Sequence, residues 1–153
     1  MAGETFKEGM KVFGAHLKPS EIRAQGSVVI GTVEGDIHDI GKNLVASLME
    51  ASGFEVHDVG VDVTANRFLT KAKEASADVV AMSALLTTTF PHMRKVVDAI
   101  RKAQLQSNVI VGGAPLNSET AKSLGADAYG KDAVEGAKIC KQWIAERKRK
   151  RLS

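Results

Sequence analysis

The residues best placed to do chemistry lie in the stretch GTVEGDIHDIGKN, positions 31–43. It holds His38 between Asp36 and Asp39, with Gly31, Gly35 and Gly41 spaced through it and Lys42 after the last glycine. An apolar run precedes it, so a phosphate loop is the first chemistry to test. A P-loop needs Gly, four residues, then Gly-Lys-Ser/Thr. With Gly41-Lys42 as the second half, its first position is Asp36 and its last is Asn43. Both are wrong, and a carboxylate facing a phosphate repels it. A dinucleotide fingerprint fails too, because Val33 stands where a second glycine is needed after Gly31. A metal fits better. His38 supplies an imidazole, and Asp36, two residues earlier, can take the proton of its second ring nitrogen, fixing the tautomer and raising ligand basicity. One histidine is too sparse for a caged zinc, which takes about four ligands. It suffices for a metal inside a macrocycle that needs one axial ligand. His16, His57 and His92 have no matching company and read as surface or structural residues.

This loop needs a scaffold, and the chain supplies one in repeats. Apolar, β-branched runs at 27–33, 54–60, 78–85, 107–113 and 127–130 read as strands. The run at 54–60 alternates and that at 127–130 is short, but the other three are nearly continuous, which implies burial on both faces, as in a parallel sheet. Helical patterns fill the gaps. The first, 42–52, carries Leu44, Val45, Leu48 and Met49 on one stripe and stops at Gly53. The next, 64–76, has Thr64 as N-cap. The third, 91–103, starts with Pro91 in its first turn. The fourth, 117–124, is capped by Asn117 or Ser118, and the last runs from 132 to about 147. Five β–α units in series predict an α/β fold: a Rossmann-like, flavodoxin-like doubly wound sheet of five parallel strands in the order 2-1-3-4-5. The loops after strands 1 and 3 then flank the switch point where ligands bind. The first is the GTVEGDIHDIGKN loop and the second is LLTTTF, residues 85–90. A phosphorelay receiver shares this fold but needs an aspartate after strand 3, where this chain has Ser83-Ala84-Leu85. Ahead of the repeat, Phe6, Met10, Phe13 and Leu17 recur at helical spacing until Pro19, and a linker follows.

Bulk properties narrow the class. The 153 residues suffice for one core. No apolar run approaches the ~20 residues of a membrane span, and the N-terminus lacks the order of a secretory signal. Cys140 is the single cysteine, which rules out an internal disulfide and fits a cytoplasmic protein. The net charge of +3 comes from the tail RKRKR at 147–151, which reads as a solvated, frayed helix end. The body without it is close to neutral, so neither nucleic acid nor membrane is expected as a partner.

The motifs Asp36-x-His38-x-x-Gly41, Ser83-x-Leu85 and Gly112-Gly113, in this order and on three successive sheet-edge loops, resemble the signature of cobalamin-binding domains. The match runs from about residue 27 to the C-terminus. The longer form GTVEGDIHDIGKN is similar to the corrinoid proteins of methyltransferase systems and to the cobalamin module of methionine synthase. The resemblance implies that cobalamin binds with its dimethylbenzimidazole base displaced, His38 replacing it beneath cobalt and the nucleotide tail entering a slot beside strands 1, 3 and 4. It implies cofactor contacts from Gly35, Asp36, Ile37, His38, Asp39 and Gly41 on the first loop. Ser83, Leu85, Thr87 and Thr89 follow on the second, and Gly112 and Gly113 on the third. Thr89, by its offset from Ser83, is expected to continue the Asp36–His38 hydrogen-bond relay.

Such a protein cycles between cob(I)alamin and methylcobalamin, serving a substrate-specific methyltransferase and an acceptor methyltransferase in turn, with a reductive activator as a further partner. It has no complete active site of its own. The competing functions are a cobalamin sensor and the small subunit of an adenosylcobalamin-dependent mutase. In the family a helical bundle precedes this domain. Here residues 1–26 resemble its last helix with a linker, 27–147 the cobalamin-binding domain and 148–153 a basic tail. Homo-oligomerisation is left open.

Overall fold

A computed structural model describes residues 25–152. The helix expected over residues 1–20 lies outside them. The described chain alternates strand and helix: β1 (Ser27–Val33), α1 (Ile40–Ala51), β2 (Glu55–Val63), α2 (Ala65–Ala75), β3 (Val79–Ser83), a single 3-10 turn (Thr87–Thr89), α3 (Phe90–Lys102), β4 (Asn108–Gly112), α4 (Ser118–Ser123), β5 (Ala128–Gly130) and α5 (Ala133–Leu152). All strand pairs are parallel and the sheet order is β2-β1-β3-β4-β5, as the repeat predicts.

The two-residue period of each strand sends alternate side chains to opposite helix layers. Val28, Ile30, Val79, Ala81 and Ile110 meet Ala46 and Met49 of α1 and Ala137, Cys140 and Ile144 of α5. Val29, Val33, Val80, Met82, Val109 and Val111 meet Phe68 of α2, Met93, Val96 and Ile100 of α3 and Ala121 of α4. The caps follow the sequence: Thr64 accepts the Arg67 N–H at 3.2 Å, and Asn117 accepts that of Thr120 at 2.8 Å.

Three element ends differ from expectation. β2 runs to Val63, past Gly60, because the Asp62 N–H reaches the Asp36 carbonyl at 2.8 Å and draws the strand end across to the first loop. β3 stops at Ser83, so Leu85 lies in the following loop. The basic tail is not frayed. α5 continues to Leu152, and its last turns are tied to the sheet. Arg147 donates to Asn108 Oδ1 at 2.7 Å and Arg151 to Asp78 Oδ1 at 3.2 Å, while Lys148 reaches Gln25 Oε1 at 2.8 Å. Asp78 is itself buried, its other carboxylate oxygen accepting the Ser27 N–H at 2.9 Å. No helix of the described residues is long and apolar enough to cross a membrane.

Candidate functional site

The site forms where β1 and β3, hydrogen-bonded neighbours in the sheet, send their chains to opposite faces. After β1 the backbone turns, with Gly35 at φ +89° and the Asp36 N–H bonded to the Val33 carbonyl at 3.1 Å. The Gly35 N–H donates to Asp62 Oδ1 at 2.8 Å. That turn drives Asp36 inward until it has no exposed surface. Its two oxygens accept three donors: Oδ1 takes the His38 N–H at 3.0 Å and His38 Nδ1 at 2.7 Å, and Oδ2 takes the Leu85 N–H at 2.6 Å. Burial by itself raises the carboxyl's pKa. The Leu85 N–H, the His38 N–H, the His38 ring and its charge outweigh burial and hold the group below its ordinary value of 3.8.

An ionised Asp36 only accepts, so His38 carries its ring proton on Nδ1. The lone pair is then on Nε2, and the side chain is 52% exposed. The backbone of His38 is fixed separately: its carbonyl accepts the Thr32 hydroxyl at 2.6 Å, and Thr32 Oγ1 lies 3.0 Å from Ser83 Oγ. Among the described residues no group of three or more His, Cys, Asp or Glu side chains converges on a point where a metal could sit. One exposed imidazole suits a metal that brings its other ligands.

The loops that carry the site also expose apolar side chains. Ile37 is 74% and Ile40 84% exposed, and Leu85 and Leu86 are exposed across the loop. Beside it, between α1, α5 and the ends of β1, β3 and β4, lies a cavity of about 310 Å³ whose walls include Gly41, Ser83, Gly112, Gly113 and Cys140. Burial pushes the Cys140 thiol up to about 12, so this wall is a neutral thiol. Lys42 also borders the cavity but is 4% exposed, its ammonium donating to Asp58 Oδ2 and Asn43 Oδ1, both at 2.6 Å. The phosphate-loop reading therefore fails on geometry as well as on sequence.

The predicted residues thus fall into groups. Asp36 holds both His38 and the Leu85 backbone. Gly41, Ser83, Gly112 and Gly113 share the cavity. Ile37 and Asp39 are exposed on the loop. Thr87 is exposed in the 3-10 turn, while Thr89 is buried. The relay expected through Thr89 is not made: its hydroxyl donates to the Leu86 carbonyl at 2.6 Å, closing the turn. Ser83 contacts Thr32, not Asp36. Four further residues join the site: Thr32 and Asp62 by their bonds to the first loop, and Gly130 and Cys140 as walls of the cavity. Thr32 had a signal, a hydroxyl near the loop end of a mostly apolar strand. The other three meet the site only through tertiary contacts.

These features define a doubly wound α/β domain with a ligand-binding cleft at its switch point. Residues 26–138 match the family described as the B12 binding domain, and the chain belongs to that family. It is 42% identical to dimethylamine corrinoid protein 3 of Methanosarcina acetivorans over 94% of this chain and 68% of that protein. Among solved structures it resembles a cobalamin-binding protein from Desulfitobacterium hafniense DCB-2 (39% identity, TM-score 0.80, 93% of this chain and 68% of that one). It also resembles the methanol:cobalamin methyltransferase complex MtaBC of Methanosarcina barkeri (33% identity, TM-score 0.76, 79% of this chain and 47% of that one). Cobalamin is the cofactor of this domain. The residues fit it. A Cβ built on Gly41 meets nothing of the chain within 4 Å, so the space beside this signature glycine is open to a ligand.

Proposed function

We propose that this chain is the corrinoid methyl carrier of a methyltransferase system, shuttling a methyl group from a substrate-specific methyltransferase to an acceptor methyltransferase. The cofactor sits with its base displaced, His38 beneath the metal and the nucleotide tail in the cavity between α1, α5 and the sheet. Cobalt supplies the methyl-carrying centre, and the chain binds and orients it. Asp36 keeps the ring proton on Nδ1 and so keeps the Nε2 lone pair facing outward. Thr32 holds the His38 backbone and Ser83 together, fixing the imidazole's height above the cleft. Ile37, Ile40, Leu85 and Leu86 offer an apolar bed that a corrin ring would cover, removing water from around the imidazole. Gly112 and Gly113 let backbone approach the tail closely.

The observation that carries this reading is the half-exposed imidazole whose second nitrogen is bonded to a fully buried carboxylate. The dimethylamine corrinoid protein and the MtaBC complex support the methyl-transfer role and make methylamines and methanol the first donors to test. The chain is loaded with hydroxocobalamin, reduced by a chemical reductant or a reductive activator, and mixed with a methylamine or methanol methyltransferase and its substrate. The visible spectrum should change on adding donor and return on adding the acceptor enzyme together with its methyl-accepting substrate. A loaded protein whose spectrum stays fixed with every such pair is not a methyl carrier.

A further inference from the structure

Gly136 lies within α5, where glycine is the least favourable residue after proline. Nothing in the free chain requires it. Its φ is not in the left-handed region, and a Cβ built there would have Val45 Cγ2 of α1, at 3.9 Å, as its nearest neighbour beyond its own helix. That is ordinary van der Waals contact. An alanine would both stiffen α5 and close its seam with α1 by one more packed methyl. Both effects favour the free protein. The neighbouring glycines are different: a Cβ on Gly113 would stand 1.8 Å from the Ala84 carbonyl oxygen, and one on Gly130 would stand 3.0 Å from Gly136 Cα. Gly113 is demanded by the fold and Gly130 is tightly packed, whereas Gly136 is neither. Gly136 and Val45 both line the 310 Å³ cavity.

We infer that Gly136 is a specificity-determining residue: it keeps the α1–α5 seam open so that the nucleotide tail of a complete corrinoid can seat there. This rests on the displaced-tail reading above and adds the residue that sets the width of the tail's slot. The seam selects for corrinoids by their tail, while His38 and the apolar bed deal with the ring.

The test measures binding of hydroxocobalamin and of cobinamide, which has the ring but no nucleotide tail, to the unaltered chain, Gly136→Ala and Gly136→Ala/Val45→Ala. Thermal unfolding is followed for each without cofactor. The unaltered chain should bind cobalamin more tightly than cobinamide. G136A should melt a few degrees higher, lose about tenfold or more in cobalamin affinity, and change its cobinamide affinity by less than about twofold. Removing the Val45 methyls in the double variant should restore most of the cobalamin affinity. If G136A binds cobalamin as the unaltered chain does, while the latter still prefers cobalamin to cobinamide, the inference is overturned and the displaced-tail reading stands. Equal loss for both ligands, or a double variant no better than the single one, overturns the steric argument. An unaltered chain with no preference for cobalamin overturns the displaced-tail reading and the inference together.

Discussion

Asp36 concentrates three N–H donors on one buried carboxylate, and its ionisation is therefore a stability term as well as a functional one. Its pKa is depressed on folding, so it contributes stability above the ordinary value of 3.8 and loses that contribution as pH falls below it, toward the lower folded value. Urea unfolding of the cofactor-free chain between pH 6 and pH 2 should show this decline, with a shallower decline in Asp36→Asn. At neutral pH the asparagine's NH2 takes the place of one carboxylate oxygen, sets a donor against an N–H in a buried site, and should cost roughly 1–3 kcal/mol. Cys140 gives a second residue-scale test. Its buried thiol ionises only near 12 and has no exposed surface, so a thiol reagent should leave the native chain unmodified at pH 8 and label it fully in urea. Rapid native labelling would show that the cavity wall opens freely. The Asp36–His38 pair was legible in the sequence because the two are local, two residues apart on one loop. The Leu85 N–H was not legible as its support, since it depends on β1 lying against β3. Thr89 misled for the converse reason: a hydroxyl in a 3-10 turn finds its own backbone three residues back before it finds a distant carboxylate.

At the scale of elements, the alternation of β-branched strands and capped helices carried the topology, and the turn glycines carried the sharp corners. Gly113 is the most constrained of these, with φ +135° and the Ala84 carbonyl against the place of its missing Cβ. Gly113→Ala should cost on the order of 3 kcal/mol in chemical denaturation, and a cost below about 1 kcal/mol would mean that the loops after β3 and β4 part more easily than their packing implies. Element ends were less legible than element types. The extension of β2 to Val63 depends on the Asp62–Asp36 backbone bond, a contact between the strand's end and a loop far from it in sequence. The extension of α5 to Leu152 depends on Asp78, whose two oxygens serve the Ser27 N–H on one side and the Arg151 guanidinium on the other. A run of five basic residues shows charge in the sequence, but not that its arginines meet a buried carboxylate and an asparagine on the sheet. Replacing both Arg147 and Arg151 by alanine should lower stability by roughly 1–2 kcal/mol, less at high salt, because Arg151 is largely exposed.

For the molecule as a whole, the sheet's two ends divide the work. One end anchors α5, and the other gathers His38, the apolar bed and the cavity into a surface for one large cofactor. Loading should stabilise the chain by mass action, by about 2.7 kcal/mol at a free ligand concentration a hundred times the dissociation constant. Thermal melts with and without hydroxocobalamin would check this. The central claim is the bond from His38 Nε2 to cobalt. The most direct measurement is electron paramagnetic resonance of the cob(II)alamin-loaded chain grown with nitrogen-15 histidine. The account predicts that each cobalt line splits into a doublet from the labelled imidazole, and that His38→Ala loses this doublet. A triplet that persists in the labelled protein would show that the cofactor's own base still holds the metal, and would contradict the account.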